Sequence, residues 1–340
     1  MNILFVVVHY YPYIGGVEYV VKSLAECLVK MGYGVTVLAG EPQIDNPVEG
    51  DVNMVHVIRW PTWAPEGAYH IPKRRKLLER RLCDLLKNVD IVHAHSIHGV
   101  LPVWIARKVK KLNKRIRVIV TGHFHGTGHT LLRRLFWLGW RLEIDKLIEE
   151  VDKIHAVSLV EKRRLLKIFP KVAHKITVIP NGIDEDVFNY TWSGRDSNYM
   201  VYSGRIEKYK RLEWAVNLAK DMGLKLLIVG NGKHKRNIEG YARKIYPKGV
   251  EFLKPQPRYE YLKLVANSRY AVNPSKYEAF SIFTAEALAM GTPVIASREV
   301  AEALGAPILK PINRLYFIGT PRIWEWNKVI QAYLNKLYMQ

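Results

Sequence analysis

Residues 277–297 read YEAFSIFTAEALAMGTPVIAS. The stretch is one turn of an α/β fold: a short loop, a helix whose first turn holds Phe280, Ser281 and Ile282, a stop, and a strand. The helix is expected to end at Met290, because Gly291 suits the left-handed residue after a helix and Pro293 cannot continue one. The closing PVIAS is apolar without alternation, as a strand covered on both faces is. Two acids, Glu278 in the loop and Glu286 in the helix, have seven residues between them. The backbone N–H groups of Phe280, Ser281 and Ile282 are expected to be free for a phosphate. Helical side chains lean toward the N-terminus, so Glu286 is expected to reach a ligand held there. Carboxylates beside a phosphate site are unfavourable unless they grip hydroxyls, so the pair points to a sugar nucleotide.

The same plan is written twice in the chain. Residues 2–8 form a strand, Gly15-Gly16 a loop, and Val17, Val20, Val21, Leu24, Ala25, Leu28 and Met31 the apolar face of a helix. A strand follows at 35–39. The pattern restarts at Tyr199 with a strand, the loop GRIEKYK, a helix through Ala215, Leu218, Ala219 and Met222, and the strand KLLIVG. Two such starts predict two Rossmann-like, doubly wound parallel-sheet domains. Further strands are expected near 55–60, 91–95, 117–121, 153–158 and 176–179, then at 250–253, 270–274 and 293–296. Pro180-Asn181-Gly182 and the polar residues after it mark the hinge, giving domains at 1–182 and 183–322. Gly230-Asn231-Gly232 is followed by Lys235 where a dinucleotide fingerprint needs glycine, which disfavours a nicotinamide enzyme.

With 340 residues, 49% hydrophobic, and a mean hydropathy of −0.10, the chain is expected to be a soluble globular protein. No apolar run approaches the ~20 residues that span a bilayer, and Met1-Asn2 leads into a strand without a leader-like segment. Cys27 and Cys83 are expected to be buried free thiols in a reducing, cytoplasmic setting. Charge stands out. Lys plus Arg number 52 against 31 Asp plus Glu, a net +21, which predicts an anionic partner or a lysine-rich thermophilic surface.

Gly204-Arg205 and Lys210 lie in a loop expected at the carboxyl edge of the second sheet, where ligands bind. A guanidinium fork and a mobile ammonium suit a departing diphosphate. His93 and His95 share one face of a strand, and His98, His123, His125 and His129 follow. A strand-borne pair of this kind can also serve a metal-dependent amidohydrolase, the rival enzymatic reading. In residues 71–82 basic and aliphatic residues interleave, and in residues 131–142 basic and aromatic ones. Phe136, Trp137 and Trp140 among Arg133, Arg134 and Arg141 suit either a helix lying on an anionic membrane or a core helix with snorkelling arginines. No nucleic-acid module is recognised and no nucleic-acid partner is expected. A non-catalytic basic binding protein for anionic lipid or nucleic acid is the other alternative.

The E-x7-E pair, the G-R-x4-K spacing of Arg205 and Lys210, the Gly15-Gly16 pair, the H-x-H strand, the T-x-H of Thr121–His123 and the Asn181-Gly182-Ile183-Asp184 stretch together resemble retaining glycosyltransferases of the GT-B type, family 4. That resemblance implies an acceptor domain first, a donor domain second, a cleft between them, and a final helix, residues 323–340, crossing back to the first domain. It implies a nucleotide-diphosphate sugar as donor, a carbohydrate or lipid-linked acceptor, retention of configuration, and no metal or cofactor. Carried over residue by residue, Arg205 and Lys210 hold the diphosphate, Glu286 the ribose, Glu278 the sugar hydroxyls, and His123 lies near the donor sugar, with His125 as the alternative. Gly16 and the backbone near Leu253 are further donor contacts. The chain departs from the family pattern at Arg211 and Ser281, where glycine is frequent, and at Arg298-Glu299 in place of a Gly-Gly loop.

Overall fold

The structure, a computed structural model, describes every residue except Ile14, Ala68, residues 125–130 and Gln340, with no side-chain detail for Glu66 or residues 131–138. It divides into two compact units, Met1–Gly182 with Trp326–Gln340, and Ile183–Glu325.

The first unit runs β1 (Asn2–Val7), α1 (Gly16–Lys30), β2 (Gly34–Glu41), β3 (Val48–Val52), β4 (Val55–Trp63), β5 (Ile71–Pro72), α2 (Arg75–Leu85), β6 (Ile91–His95), α3 (Val100–Leu112), β7 (Arg117–Thr121), α4 (Leu131–Glu150), β8 (Lys153–Ala156), α5 (Leu159–Ile168) and β9 (Ile176–Val178). Its sheet has the order β3-β4-β2-β1-β6-β7-β8-β9, parallel except for β3, with β5 paired to β4. Reversal of strand direction of growth at β1 and β6 is the doubly wound arrangement. Leu4, Val6, Val92 and Val118 meet Leu82 of α2, Leu101 and Ile105 of α3 and Leu147 of α4 on one face. On α1, Val20, Val21, Leu24, Ala25 and Leu28 are buried as the pattern predicts, but Met31 is exposed because it already lies past the helix end.

The second unit runs β10 (Tyr199–Ser203), α6 (Leu212–Met222), β11 (Lys225–Val229), α7 (Lys235–Ile245), β12 (Val250–Leu253), α8 (Arg258–Ala266), β13 (Tyr270–Asn273), α9 (Ile282–Ala289), β14 (Val294–Ala296), α10 (Arg298–Leu304), β15 (Ile308–Ile312) and β16 (Leu315–Ile318). Its sheet order is β12-β11-β10-β13-β14-β16-β15, parallel from β12 to β14, with β16 antiparallel to both β14 and β15. Val201, Ala271 and Ala296 pack under α8, α9 and α10, while their neighbours Met200, Val272 and Ile295 face α6 and α7. A sheet covered on both faces is what the apolar runs without alternation require.

The expectations for the cysteines and for the last helix need correction. Cys83 is exposed and Cys27 half-buried, since Leu78 and Leu82 take the inner face of α2 and leave Cys83 outside. The last helix starts not at 323 but at Trp326, as α11 (Trp326–Tyr333), and continues as a π-turn over Leu334–Tyr338. Before it the chain is extended: Ile183 donates its N–H to the Trp324 carbonyl at 3.1 Å and bridges Glu325. Gly182 is needed at the boundary, because a Cβ there would come within 2.9 Å of the Trp326 backbone. Among the described residues no helix is long and apolar enough to cross a membrane.

Candidate functional site

At the carboxyl edge of the second sheet, three loops converge. The loop after β10 carries Arg205 and Lys210 and is braced by the loop after β11. The Ile206 N–H donates to the Asn231 carbonyl at 2.8 Å, and the His234 N–H donates to the Ile206 carbonyl at 3.0 Å. Gly230 has φ +141, and a Cβ on it would run into the Gly204 carbonyl. Gly230-Asn231-Gly232, which reads as a failed dinucleotide fingerprint, thus allows two loop backbones to touch. Leu253 ends the neighbouring strand, and its carbonyl accepts from the Gly230 N–H at 3.0 Å.

The loop after β13 carries Glu278 and is tied to the first, the Lys276 N–H donating to the Tyr209 carbonyl at 2.8 Å. Lys210 Nζ donates to Glu278 Oε1 at 2.5 Å, with both side chains about seven-eighths buried, 12% and 13% exposed. Burial alone would push the Lys210 ammonium down, but the Glu278 carboxylate beside it outweighs this and holds it above the usual lysine range. Arg205 remains exposed, with its guanidinium 3.3 Å from the Tyr209 hydroxyl. The sequence gives no warning of Asn273, which organises this loop from within. Its amide nitrogen donates to Ser281 Oγ at 2.9 Å and Thr284 Oγ1 at 3.0 Å, while its oxygen accepts from Ser275 at 2.7 Å.

Ser281 caps α9, its Oγ accepting from the Thr284 N–H. The Phe280, Ser281 and Ile282 stretch therefore leads into the helix as expected, but the Ser281 side chain serves the cap and the Asn273 network. Glu286 is only 2% exposed. Its Oε1 accepts from Arg258 Nη1 at 2.6 Å and its Oε2 from the Tyr261 hydroxyl at 2.5 Å. Arg258 also makes a two-pronged contact to Asp186, Nε at 2.9 Å and Nη2 at 2.8 Å. Arg258, Tyr261 and Asp186 were outside the motifs. An arginine at the first position of a helix, 28 residues from an acid, carries no local signal.

Two of the three departures from the expected pattern, Arg211 and Glu299, meet. Arg211, at φ +49, donates to the Pro274 and Ser275 carbonyls at 2.8 and 2.9 Å and to Glu299 Oε1 at 3.1 Å. Arg211 is therefore a strut under the loop. Arg298-Glu299, which stand where a Gly-Gly loop is expected, open α10, capped by Ser297.

In the first unit the histidines form a buried hydrogen-bonded set. His93 Nδ1 pairs with the Tyr338 hydroxyl at 2.8 Å and its Nε2 with Thr121 Oγ1 at 2.7 Å. Thr121 Oγ1 also meets His155 Nδ1 at 2.9 Å, and His155 Nε2 donates to the Ile179 carbonyl at 2.8 Å. Burial holds His93 and His95 well below the usual range and lowers His155 to about 4. With both His93 nitrogens engaged by hydroxyls, the amidohydrolase reading loses its metal pair. Among the described residues no group of three or more His, Cys, Asp or Glu is placed to hold a metal. His123 is 8% exposed at φ +46, with Nε2 3.1 Å from His95 Nδ1. Its loop is held by Glu161, whose carboxylate accepts the Phe124 N–H at 2.6 Å and the Val157 N–H at 2.7 Å. His125, His129 and the side chains of residues 131–138, including Arg133, Arg134, Phe136 and Trp137, lie outside the described residues. Gly16 opens α1 with open space where its Cβ would stand. Next to it lies a polar group the motifs did not show: Tyr13 donates to Glu41 Oε1 at 2.6 Å, and His9 stacks on Tyr13.

Comparison with known proteins agrees with this architecture. The chain is 24% identical over 308 residues to an uncharacterized glycosyltransferase of Methanocaldococcus jannaschii, covering 90% of this chain and 81% of that one. It is 26% identical over 319 residues to N-acetyl-alpha-D-glucosaminyl L-malate synthase of Bacillus anthracis, covering 85% and 77%. Among solved structures, Anabaena HepE in complex with UDP-glucose superposes with a TM-score of 0.68 at 16% identity, over 99% of this chain and 90% of that one. The shared fold is the GT-B fold, two Rossmann-like domains. The model for Glycosyltransferase Family 4 matches residues 14–187, and that for Glycosyl transferases group 1 matches residues 187–303. Since the first alone spans half the sequence and the second takes over where it ends, this chain belongs to glycosyltransferase family 4.

Proposed function

We propose that the protein moves a hexose from a nucleotide-diphosphate sugar to a hydroxyl of a carbohydrate or lipid-linked acceptor, with retention of configuration. The observation that carries this reading is the 2.5 Å pair of Lys210 and Glu278. In such a donor the sugar C1 is bonded directly to the terminal phosphate. A cation for the phosphate and a carboxylate for the sugar hydroxyls must therefore be neighbours, and these two are. Arg205 adds a second cation on the same loop, exposed and able to close on the diphosphate. Glu286 takes the ribose, and the N–H groups at the start of α9 face the phosphates. HepE, a relative in fold, binds UDP-glucose, which supports a donor of this class.

In the reaction the bond from C1 to the phosphate oxygen breaks, and the electron pair leaves with the diphosphate. Lys210 and Arg205 stabilise that charge, and the leaving oxygen accepts the acceptor's proton on the face it departs from. With Glu278 held by Lys210 and committed to the sugar hydroxyls, and Glu286 to the ribose, neither carboxylate of the motif stands as nucleophile, so the acceptor enters from the same face. His123 orients the donor sugar, and Gly16 and the Leu253 backbone contribute donor contacts. No metal enters this scheme. The net charge of +21 supports a peripheral position on the anionic inner face of a membrane, each basic residue near such a surface contributing about 1 kcal/mol. Thermal-shift screening of UDP-, GDP- and ADP-sugars, followed by proton NMR of the first product, tests the reading. An α-linked product from an α-linked donor is expected. A β-linked product overturns the mechanism, and vesicle co-sedimentation equal for neutral and anionic lipids removes the membrane position.

A further inference from the structure

Among the described residues the Glu286 carboxylate makes two side-chain hydrogen bonds, and both come from α8. A carboxylate offers about four lone-pair sites. Arg258 Nη1 takes one on Oε1 and the Tyr261 hydroxyl one on Oε2, which leaves one acceptor site on each oxygen. That remainder matches a vicinal diol, two donors side by side.

We propose that Arg258 is a positioning residue for nucleotide recognition: by fixing the Glu286 carboxylate from one side and Asp186 from the other, it aims the two remaining acceptor sites of Glu286 at the 2′- and 3′-hydroxyls of the donor's ribose. The proposal rests on the reading of Glu286 as the ribose ligand and adds what makes that ligand work. The guanidinium is suited to the task because it is planar and used along two edges. Nε and Nη2 grip Asp186, and Nη1 points to Glu286. A lysine could supply the charge but not both directions at once. Arg258 also keeps the acid in its acceptor form. Burial pushes the Glu286 carboxyl up, Arg258 and Tyr261 oppose that shift, and Asp184 adds to it. The charged and titratable groups around Glu286 are thus Arg258 and Tyr261 from α8, and Asp184 and Asp186 from the segment that opens the unit. Without Arg258, a buried acid beside two aspartates takes up a proton, and one ribose acceptor becomes a donor.

The test compares UDP with 2′-deoxy-UDP, and likewise the GDP and ADP pairs, by titration calorimetry between pH 6 and 9. Wild type should favour the ribonucleotide by on the order of tenfold, with little pH dependence. Arg258→Met should lose most of that preference near pH 6 to 7 and recover part of it toward pH 9, as Glu286 ionises. Arg258→Lys should fall between. Because Arg258→Met strands Asp186, the double variant Arg258→Met with Asp186→Asn serves if the single variant does not fold. Asp186→Asn alone, which leaves the contact to Glu286 and one acceptor oxygen for the guanidinium, should lose less of the preference than Arg258→Met. An Arg258→Met or double variant that still prefers the ribonucleotide as wild type does would overturn the proposal alone. So would one that weakens both nucleotides equally at every pH. A wild type that binds the two forms equally would remove the ribose reading of Glu286, and the proposal with it.

Discussion

Lys210 and Glu278 shield each other from the cost of burial, so each single replacement has a consequence beyond its own contact. Glu278→Gln leaves Lys210 free to turn fully to phosphate. It should therefore lower turnover of the sugar donor while leaving affinity for the bare nucleoside diphosphate within a few-fold. Lys210→Ala should weaken the bare diphosphate by roughly ten- to a hundredfold, the loss of a charge-assisted hydrogen bond. Calorimetry with donor and diphosphate side by side checks both, and equal losses in the two ligands for Glu278→Gln would contradict the division of roles. Arg211 and Glu299 make a second test. A double-mutant cycle with Arg211→Met and Glu299→Gln should give a coupling of about 1 kcal/mol, with Arg211→Met the costlier single change, since the Pro274 and Ser275 carbonyls lose their donors too. At this scale the sequence shows the acids and bases of the motifs, because motif residues carry their chemistry in their type and spacing. Arg258, Asn273 and Asp186 stay hidden, because their meaning comes from partners brought close only by folding.

Among elements, the loop after β11 acts on chemistry it does not touch. Gly230 sits at a φ that side chains rarely adopt and against the Gly204 carbonyl. Gly230→Ala should displace the Arg205–Lys210 loop and weaken nucleoside diphosphate binding several-fold or more. It should also lower thermal stability by about 1–3 kcal/mol. Native-like affinity in that variant, measured by calorimetry, would show that the two loops do not share a position. The parallel strands were legible from their short, mostly apolar runs, several to the residue even where a polar residue interrupts, as with Ile91–His95 and Val250–Leu253. β15 and β16 were not: Pro311 within β15 demotes the run, and pairing at an edge needs no apolar face. β3 escaped for a related reason, its VEGDV being polar and largely exposed.

For the molecule as a whole, the histidine set makes unit Met1–Gly182 with Trp326–Gln340 sensitive to acid. His155 has its pKa lowered from 6.5 to about 4 by burial. Above pH 6.5 both folded and unfolded forms are neutral there, and nothing is lost. Between 6.5 and 4 the unfolded chain binds the proton and the native one does not, so stability falls by roughly 3 kcal/mol from this group alone. His93 and His95 shift the same way. Calorimetric melting from pH 7.5 to 4.5 should show the loss, and His155→Gln should reduce its slope. Glu161, raised to about 7 by burial, works in the opposite sense, its contribution fading as pH rises from 4.5 through 7. The doubling of the βαβ plan made two domains legible, while the return of a C-terminal helix to the first was implied by the family resemblance alone, because a C-terminal segment can join any sheet its side chains fit.

That return has a consequence for how the protein is made. Tyr338 and Tyr333, which pair with His93 and His155, are synthesised only after residues 183–325. Arg117 likewise donates to the Leu337 and Tyr338 carbonyls. While residues 183–325 are being synthesised, the earlier sheet exists with its polar centre open and α1 without its neighbour α11. The unit begun first is therefore completed last, and residues 183–325 fold as an insertion within an unfinished host. A nascent chain arrested before Trp326 should be readily cleaved by protease within residues 1–182 while residues 183–325 resist, and synthesis of residues 326–338 should confer resistance on the first unit as well.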